Sequence, residues 1–134
     1  MNTTLLVINI ILGAILLGIV GNMLFIKIMG RRSATMLTED EFREGMRKAQ
    51  IIDVREKDSF DAGHILGARN IPYTTFKTSA QSIRKDQPVY LYDQRQSLSV
   101  RGANKLRKLG YSNIFILKEG YEGWNGKIKK KNKY

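Results

Sequence analysis

The chain has 134 residues, with 23 Lys and Arg against 12 Asp and Glu, a formal charge of +11, and no cysteine. That length accommodates one ordinary domain with an appendage and excludes a multidomain enzyme; a hydrophobic content of 43% excludes a disordered chain. Without cysteine there is no disulfide framework, zinc–thiolate site, iron–sulfur cluster or thiol nucleophile in these residues.

From Leu5 to Ile26 the sequence carries no charged side chain. A helix of that length runs about 33 Å at about 1.5 Å per residue, against a bilayer core of about 30 Å. Lys27, Arg31 and Arg32 follow it, and no charged side chain lies between Met1 and Thr4. This order argues for a retained single-pass anchor, because a cleaved signal carries its positive charge before the apolar run. The positive-inside rule then puts the amino terminus outside and the rest of the chain in the cytoplasm, at the cell membrane. Ala14, Gly18, Gly21 and Asn22 lie on a similar helical face, a weak pattern for helix pairing. The expected organisation is an anchor over 1–29, a polar connection over 30–36, a domain over 37–127 and a basic tail over 128–134.

Thr38 followed by Glu41 reads as a capping box opening a helix that ends near Lys48, with Leu37, Phe42 and Met46 on its apolar face. Gln50–Val54 (QIIDV) reads as a buried strand, Ser59–Ala62 as a single helical turn, and Ala68–Pro72 as a short extended piece. Thr75–Ile83 reads as a loose helix and Pro88–Tyr92 (PVYLY) as a second buried strand. Val100, Ala103, Leu106 and Leu109 recur at helical spacing over Ser97–Leu109, and Gly110 stops that helix. Asn113–Leu117 (NIFIL) is a third strand, and Tyr121–Trp124 a final turn. Apolar strands alternating with amphipathic helices predict a parallel sheet covered on both faces, with its functional loops at the strands' carboxyl ends. Two such ends stand out: Asp53-Val54-Arg55, and the segment from Asp93.

The segment IIDVREKDSFDAGHILGARNIPY resembles the first signature of the rhodanese domain. It carries Asp53-Val54-Arg55, Phe60, Gly63-His64-Ile65, Gly67-Ala68 and Asn70-Ile71-Pro72. VYLYDQRQSLSVRGANKLRKLGYSNIFILKEGYEGW is similar to the family's second half, including Gly120 and Trp124. The resemblance implies an α/β fold, a central, mostly parallel five-stranded sheet with helices on both faces, here preceded by one transmembrane helix. Active members place a cysteine after the fourth strand, at a loop whose backbone N–H groups stabilise its thiolate and persulfide. Ser99, Ala103 and Leu106 fit the family's Ser, Ala and Leu, which puts that cysteine at Asp93, the loop glycine at Gln96 and the loop arginine at Leu98. The altered loop is therefore Asp93, Gln94, Arg95, Gln96, Ser97, Leu98 and Ser99. No catalytic residue is expected in it, and covalent sulfur transfer by these residues alone is chemically blocked.

Asp93 is expected to cap the following helix with its carboxylate and plug the pocket. The only histidine, His64, has no partner for a metal site or a base–nucleophile pair, and a structural role is expected for it. Asp53 and Arg55 are expected to hold loops in register, and Arg95 and Arg101 to be solvated. No cofactor and no metal are expected. Lys127, Lys129, Lys130, Lys131 and Lys133 form a basic stretch that suits an anionic leaflet better than nucleic acid, since no aromatic platform accompanies it. The expected function is a membrane-anchored, catalytically inactive binding or regulatory module with a protein partner; the alternative is sulfur transfer that depends on a thiol supplied by a partner.

Overall fold

A computed structural model describes residues 2–131, with side-chain surroundings described outside 26–33. The chain divides into two compact units, 1–32 and 33–134. The first is helix α1 (Thr3–Ser33), of which Thr3–Phe25 is long and apolar enough to cross a membrane, a test that a signal sequence also passes. The segment read as a polar connection is thus helical as far as Ser33.

In the second unit, β1 (Thr35–Leu37) leads into α2 (Glu39–Gly45), followed by a 3₁₀ turn over Met46–Lys48. The capping box at Thr38 is present: Thr38 Oγ1 accepts from the Glu41 amide, and the Glu41 carboxylate accepts from the Thr38 amide. Next come β2 (Gln50–Asp53), α3 (Lys57–Ala62), β3 (His64–Ile65) and β4 (Arg69–Asn70). The stretch read as one loose helix is a 3₁₀ turn, then α4 (Phe76–Ser79), then another 3₁₀ turn. Then β5 (Val89–Tyr92), α5 (Ser97–Lys108), β6 (Ile114–Leu117) and β7 (Ile128–Lys129) complete the unit.

Five strands form one sheet in the order β1-β6-β5-β2-β4, every neighbouring pair parallel. The pleat sends alternate residues to opposite faces. Ile52, Leu91 and Ile116 pack with Ala103 and Leu106 of α5 and with Phe76. Ile51, Tyr90 and Tyr92 pack with Phe42 of α2 and Leu117. Burial on both faces is why these strands read as unbroken apolar runs rather than alternating ones.

Two further features depart from the sequence reading. Leu37, assigned above to the face of a helix, belongs to β1 and pairs with Leu117; a strand of three residues is too short to show a period. Ile128–Lys129, inside the stretch read as a tail, pairs antiparallel with His64–Ile65. Lys131 then donates its amide to the Asp61 carbonyl at 3.0 Å and its ammonium lies 3.8 Å from the Asp61 carboxylate. Lys133 lies outside the described residues.

Candidate functional site

The register pairs Asp53 with Tyr92, so β2 and β5 end side by side and Asp93 lies one residue past the carboxyl end of β5. Two polar corners form there, one from each strand end.

The first corner is a buried ion pair. Asp53 is fully buried, and Arg55 folds back on it: Nη2 donates to Oδ2 at 2.8 Å, Nε to Oδ1 at 3.1 Å, and the Arg55 amide to Oδ1 at 2.9 Å. The same Nη2 donates to the Gly63 carbonyl at 2.7 Å, and the guanidinium carbon lies 4.3 Å from the centre of the Tyr121 ring. Burial opposes the Arg55 charge, but the hydrogen bonds and charge of Asp53, helped by Tyr92 and Tyr121, outweigh it and raise its pKa above the ordinary value. Asn70 Nδ2 clamps the backbone from below, donating to the carbonyls of Asp53 (3.1 Å) and Arg55 (2.8 Å). His64 is buried and stacks on Phe60 with ring centres 3.6 Å apart. Its Nδ1 lies 2.8 Å from the Phe60 carbonyl, an acceptor only, so Nδ1 carries the proton.

The second corner is the loop before α5. Asp93 is buried, and its carboxylate gathers the donors at the start of that helix. Oδ2 accepts from the Leu98 amide at 3.2 Å; Oδ1 accepts from the Ser99 hydroxyl at 2.5 Å and its amide at 3.4 Å. Gln96, the residue at the cap position, makes no capping bond with its side chain. Asp93 therefore satisfies, from outside the helix, amides that have no intrahelical partner, and its negative charge suits the positive end of the helix. The loop backbone is held by the 3₁₀ turn over Tyr121–Gly123: the Tyr121 amide donates to the Asp93 carbonyl at 2.8 Å and the Glu122 amide to the Gln94 carbonyl at 3.0 Å. Gly120, at φ 67°, makes that approach possible, because a Cβ there would collide with the carbonyls of Arg95 and Gln94.

Among the described residues one side-chain hydrogen bond joins the corners, from Arg55 Nη1 to Gln94 Oε1 at 3.3 Å. Gln96 Nε2 donates to the Lys118 carbonyl at 3.1 Å, and Arg95 pairs with Glu122 at 3.0 Å on the exposed rim. Ser97 and Arg101 are exposed and stand apart from both corners' networks. Among the described residues no cluster of His, Asp and Glu fits a metal ion.

The rhodanese-like domain family model matches residues 38–127. This chain belongs to the rhodanese-like family. Among its relatives, uncharacterised protein YqhL of Bacillus subtilis (strain 168) is 54% identical over 101 residues, covering 75% of this chain and 80% of YqhL. Thiosulfate sulfurtransferase GlpE of Tolumonas auensis is 32% identical over 74 residues, covering 55% of this chain and 70% of GlpE. A solved rhodanese-like domain protein from Staphylococcus aureus superposes with a TM-score of 0.66 at 22% identity, covering 73% of this chain and 99% of that one.

In the rhodanese-like fold, the second corner stands where the family resemblance places a cysteine, and Asp93 offers a carboxylate that only accepts hydrogen bonds. The one hydroxyl held on a carboxylate here, Ser99 on Asp93, is fully buried and serves the loop's internal hydrogen bonding. The sequence reading picked out Asp53, Arg55, His64 and the loop, but missed Asn70 and Tyr121. Asn70 had a signal: asparagine is poor in strands, so one in a two-residue strand points to a side-chain duty. Tyr121 had none, since its ring meets Arg55 only through the tertiary fold.

Proposed function

We propose that this rhodanese-like chain transfers no sulfur itself and is a membrane-anchored binding or regulatory module. The observation that carries the reading is the Asp93 carboxylate on the amides of Leu98 and Ser99. In a chain with no cysteine, the loop that would cradle a sulfur anion holds its own anion instead. The exposed edge of that loop, Gln94 to Ser97, is then the recognition surface for a protein partner. Thr3–Phe25 serves as the anchor, and Lys27, Arg31 and Arg32 keep the domain in the cytoplasm. The lysines at 127, 129, 130, 131 and 133 add attraction to an anionic leaflet.

The test is thiosulfate-to-cyanide transfer by the full chain in detergent, with Asp93→Cys alongside. The unmutated chain is expected to match a protein-free blank, and the variant to gain little, because Gln96 and Leu98 also depart from the family's loop. Turnover by the unmutated chain would overturn the reading. The second reading, transfer assisted by a partner's thiol, is favoured by the likeness to GlpE, a thiosulfate sulfurtransferase. It predicts activity that appears only when a thiol-bearing partner is added. Cross-linking in intact membranes, comparing the unmutated chain with Arg95→Glu, tests the recognition surface: a partner retained undiminished would move recognition away from the loop.

A further inference from the structure

An open groove of about 610 Å³ lies outside both corners, lined by Arg43, Met46, Arg47, Leu66, Trp124 and Lys127 together with residues 125–126. Its wall is built, not incidental. The Lys127 carbonyl accepts from Trp124 Nε1 at 3.2 Å and from the Leu66 amide at 3.0 Å, which fixes the start of the basic stretch against the indole. The backbone at Gly126 lies close against the same ring, since a Cβ there would collide with Trp124 and come within 3.0 Å of Arg43 Nη2. Arg43 lies 5.2 Å from the ring centre and pairs with Glu39 at 3.3 Å. Arg47, in the 3₁₀ turn that follows α2, lines the same groove. Among the described residues neither Arg47 nor Lys127 has an ion-pair partner, and no acidic side chain lines the groove. Leu66 is 46% exposed.

An exposed aliphatic side chain beside a half-buried tryptophan, rimmed by three cations, is the composition of an interfacial contact. The apolar groups sit at headgroup level and the cations meet phosphates. The lining offers no buried polar group that would fix the shape of one soluble ligand. We infer that this groove docks the domain on an anionic bilayer leaflet, with lipid phosphates among Arg43, Arg47 and Lys127 and the apolar upper chain against Leu66 and Trp124. The inference rests on reading Thr3–Phe25 as a membrane anchor. Such an anchor makes the contact intramolecular, so that a weak site suffices.

Trp124 is the only tryptophan, so its emission reports on the groove. The full chain is reconstituted into vesicles of phosphatidylcholine, alone or mixed with phosphatidylglycerol, and floated. In mixed vesicles Trp124 emission is expected to shift to shorter wavelength and to be quenched by brominated acyl chains. Both effects are lost in neutral vesicles, at about 1 M salt, where the screening length falls to about 3 Å, and in the exposed double variant Arg47→Glu/Lys127→Glu. Unfolding of that variant at the unmutated denaturant midpoint shows that its fold is kept. Equal emission in both vesicle types, or a shift that survives charge reversal, would overturn the inference and leave the anchor standing. A shift produced by free glycerol phosphate in neutral vesicles would make the groove a soluble-anion site and overturn it too. Failure of the chain to float with any vesicle would overturn the anchor and the inference together.

Discussion

The two corners at the carboxyl ends of β2 and β5 stand side by side and solve opposite problems. At Asp53 and Arg55 a full charge pair is taken out of water and both carboxylate oxygens accept from Arg55, so the corner is a fixed brace between β2, α3 and the Tyr121 turn. At Asp93 a single carboxylate meets only neutral donors from Leu98 and Ser99. The first corner is a matched pair, and the second an anion held by a helix start. A loop that stabilises an anion needs no cysteine to keep its shape, provided something negative takes the place. That is how a rhodanese-like scaffold keeps its loop in a chain without a thiol.

The strongest way to break this contrast is to halve the matched pair. Arg55→Met leaves Asp53 buried and unpaired, and is expected to cost about 3–5 kcal/mol of stability. Denaturant unfolding of the full chain in detergent, followed by Trp124 emission, reads it. A cost below that of the Asp93 variant would invert the ranking of the two corners. Asp93→Ala strips the acceptor from two amides and a hydroxyl, and is expected to cost about 1–3 kcal/mol. If it stabilised the protein instead, the carboxylate would be a strained group kept for a partner rather than a cap.

Much of this was legible beforehand. The strands QIID, VYLY and IFIL, the α5 helix and the capping box at Thr38 are local patterns, and local patterns survive folding. Asp93 stood out because Ser99, Ala103 and Leu106 set the register around it. What was not legible is what depends on distant pairing. A three-residue β1 is defined by its partner β6, and the β3–β7 ribbon by residues some sixty apart in sequence, register His64 to Lys129. A lysine-rich run reads as solvated because charge dominates its composition. Yet Ile128 needs only one backbone partner to be held.

Between the corners stands Tyr92, fully buried, whose hydroxyl accepts from the Ile65 amide at 3.0 Å. Burial first, and then the Asp53 charge, push its pKa well above the ordinary tyrosine value. The folded state therefore keeps the proton where the unfolded chain releases it, so stability is full below about pH 10 and falls as pH rises through and beyond it. Tyr92→Phe is expected to make that alkaline slope shallower by about 1.4 kcal/mol per pH unit, measured by unfolding at a series of pH values. Tyr90 and Tyr111 are shifted upward by burial as well and leave a residual slope. An unchanged slope would mean that Tyr92 ionises in the fold, and that the Asp53 corner is wetter than its burial implies.

The smallest expected effect is also the sharpest probe of whether the corners are two devices or one. Gln94 Oε1 accepts from Arg55 Nη1 at 3.3 Å, a long bond at the margin of the buried pair. Gln94→Ala is therefore expected to cost about 0.5–1 kcal/mol, near the low end for a hydrogen bond, because solvent can replace the amide on that guanidinium. A double-mutant cycle settles the coupling. If the corners are independent, Gln94→Ala and Ser99→Ala add within about 0.5 kcal/mol, since Ser99 belongs to the Asp93 network alone. A coupling of about 1 kcal/mol or more would mean that the loop transmits strain from α5 to Arg55. A partner pressing on Gln94 to Ser97 would then be felt in the buried pair beneath it.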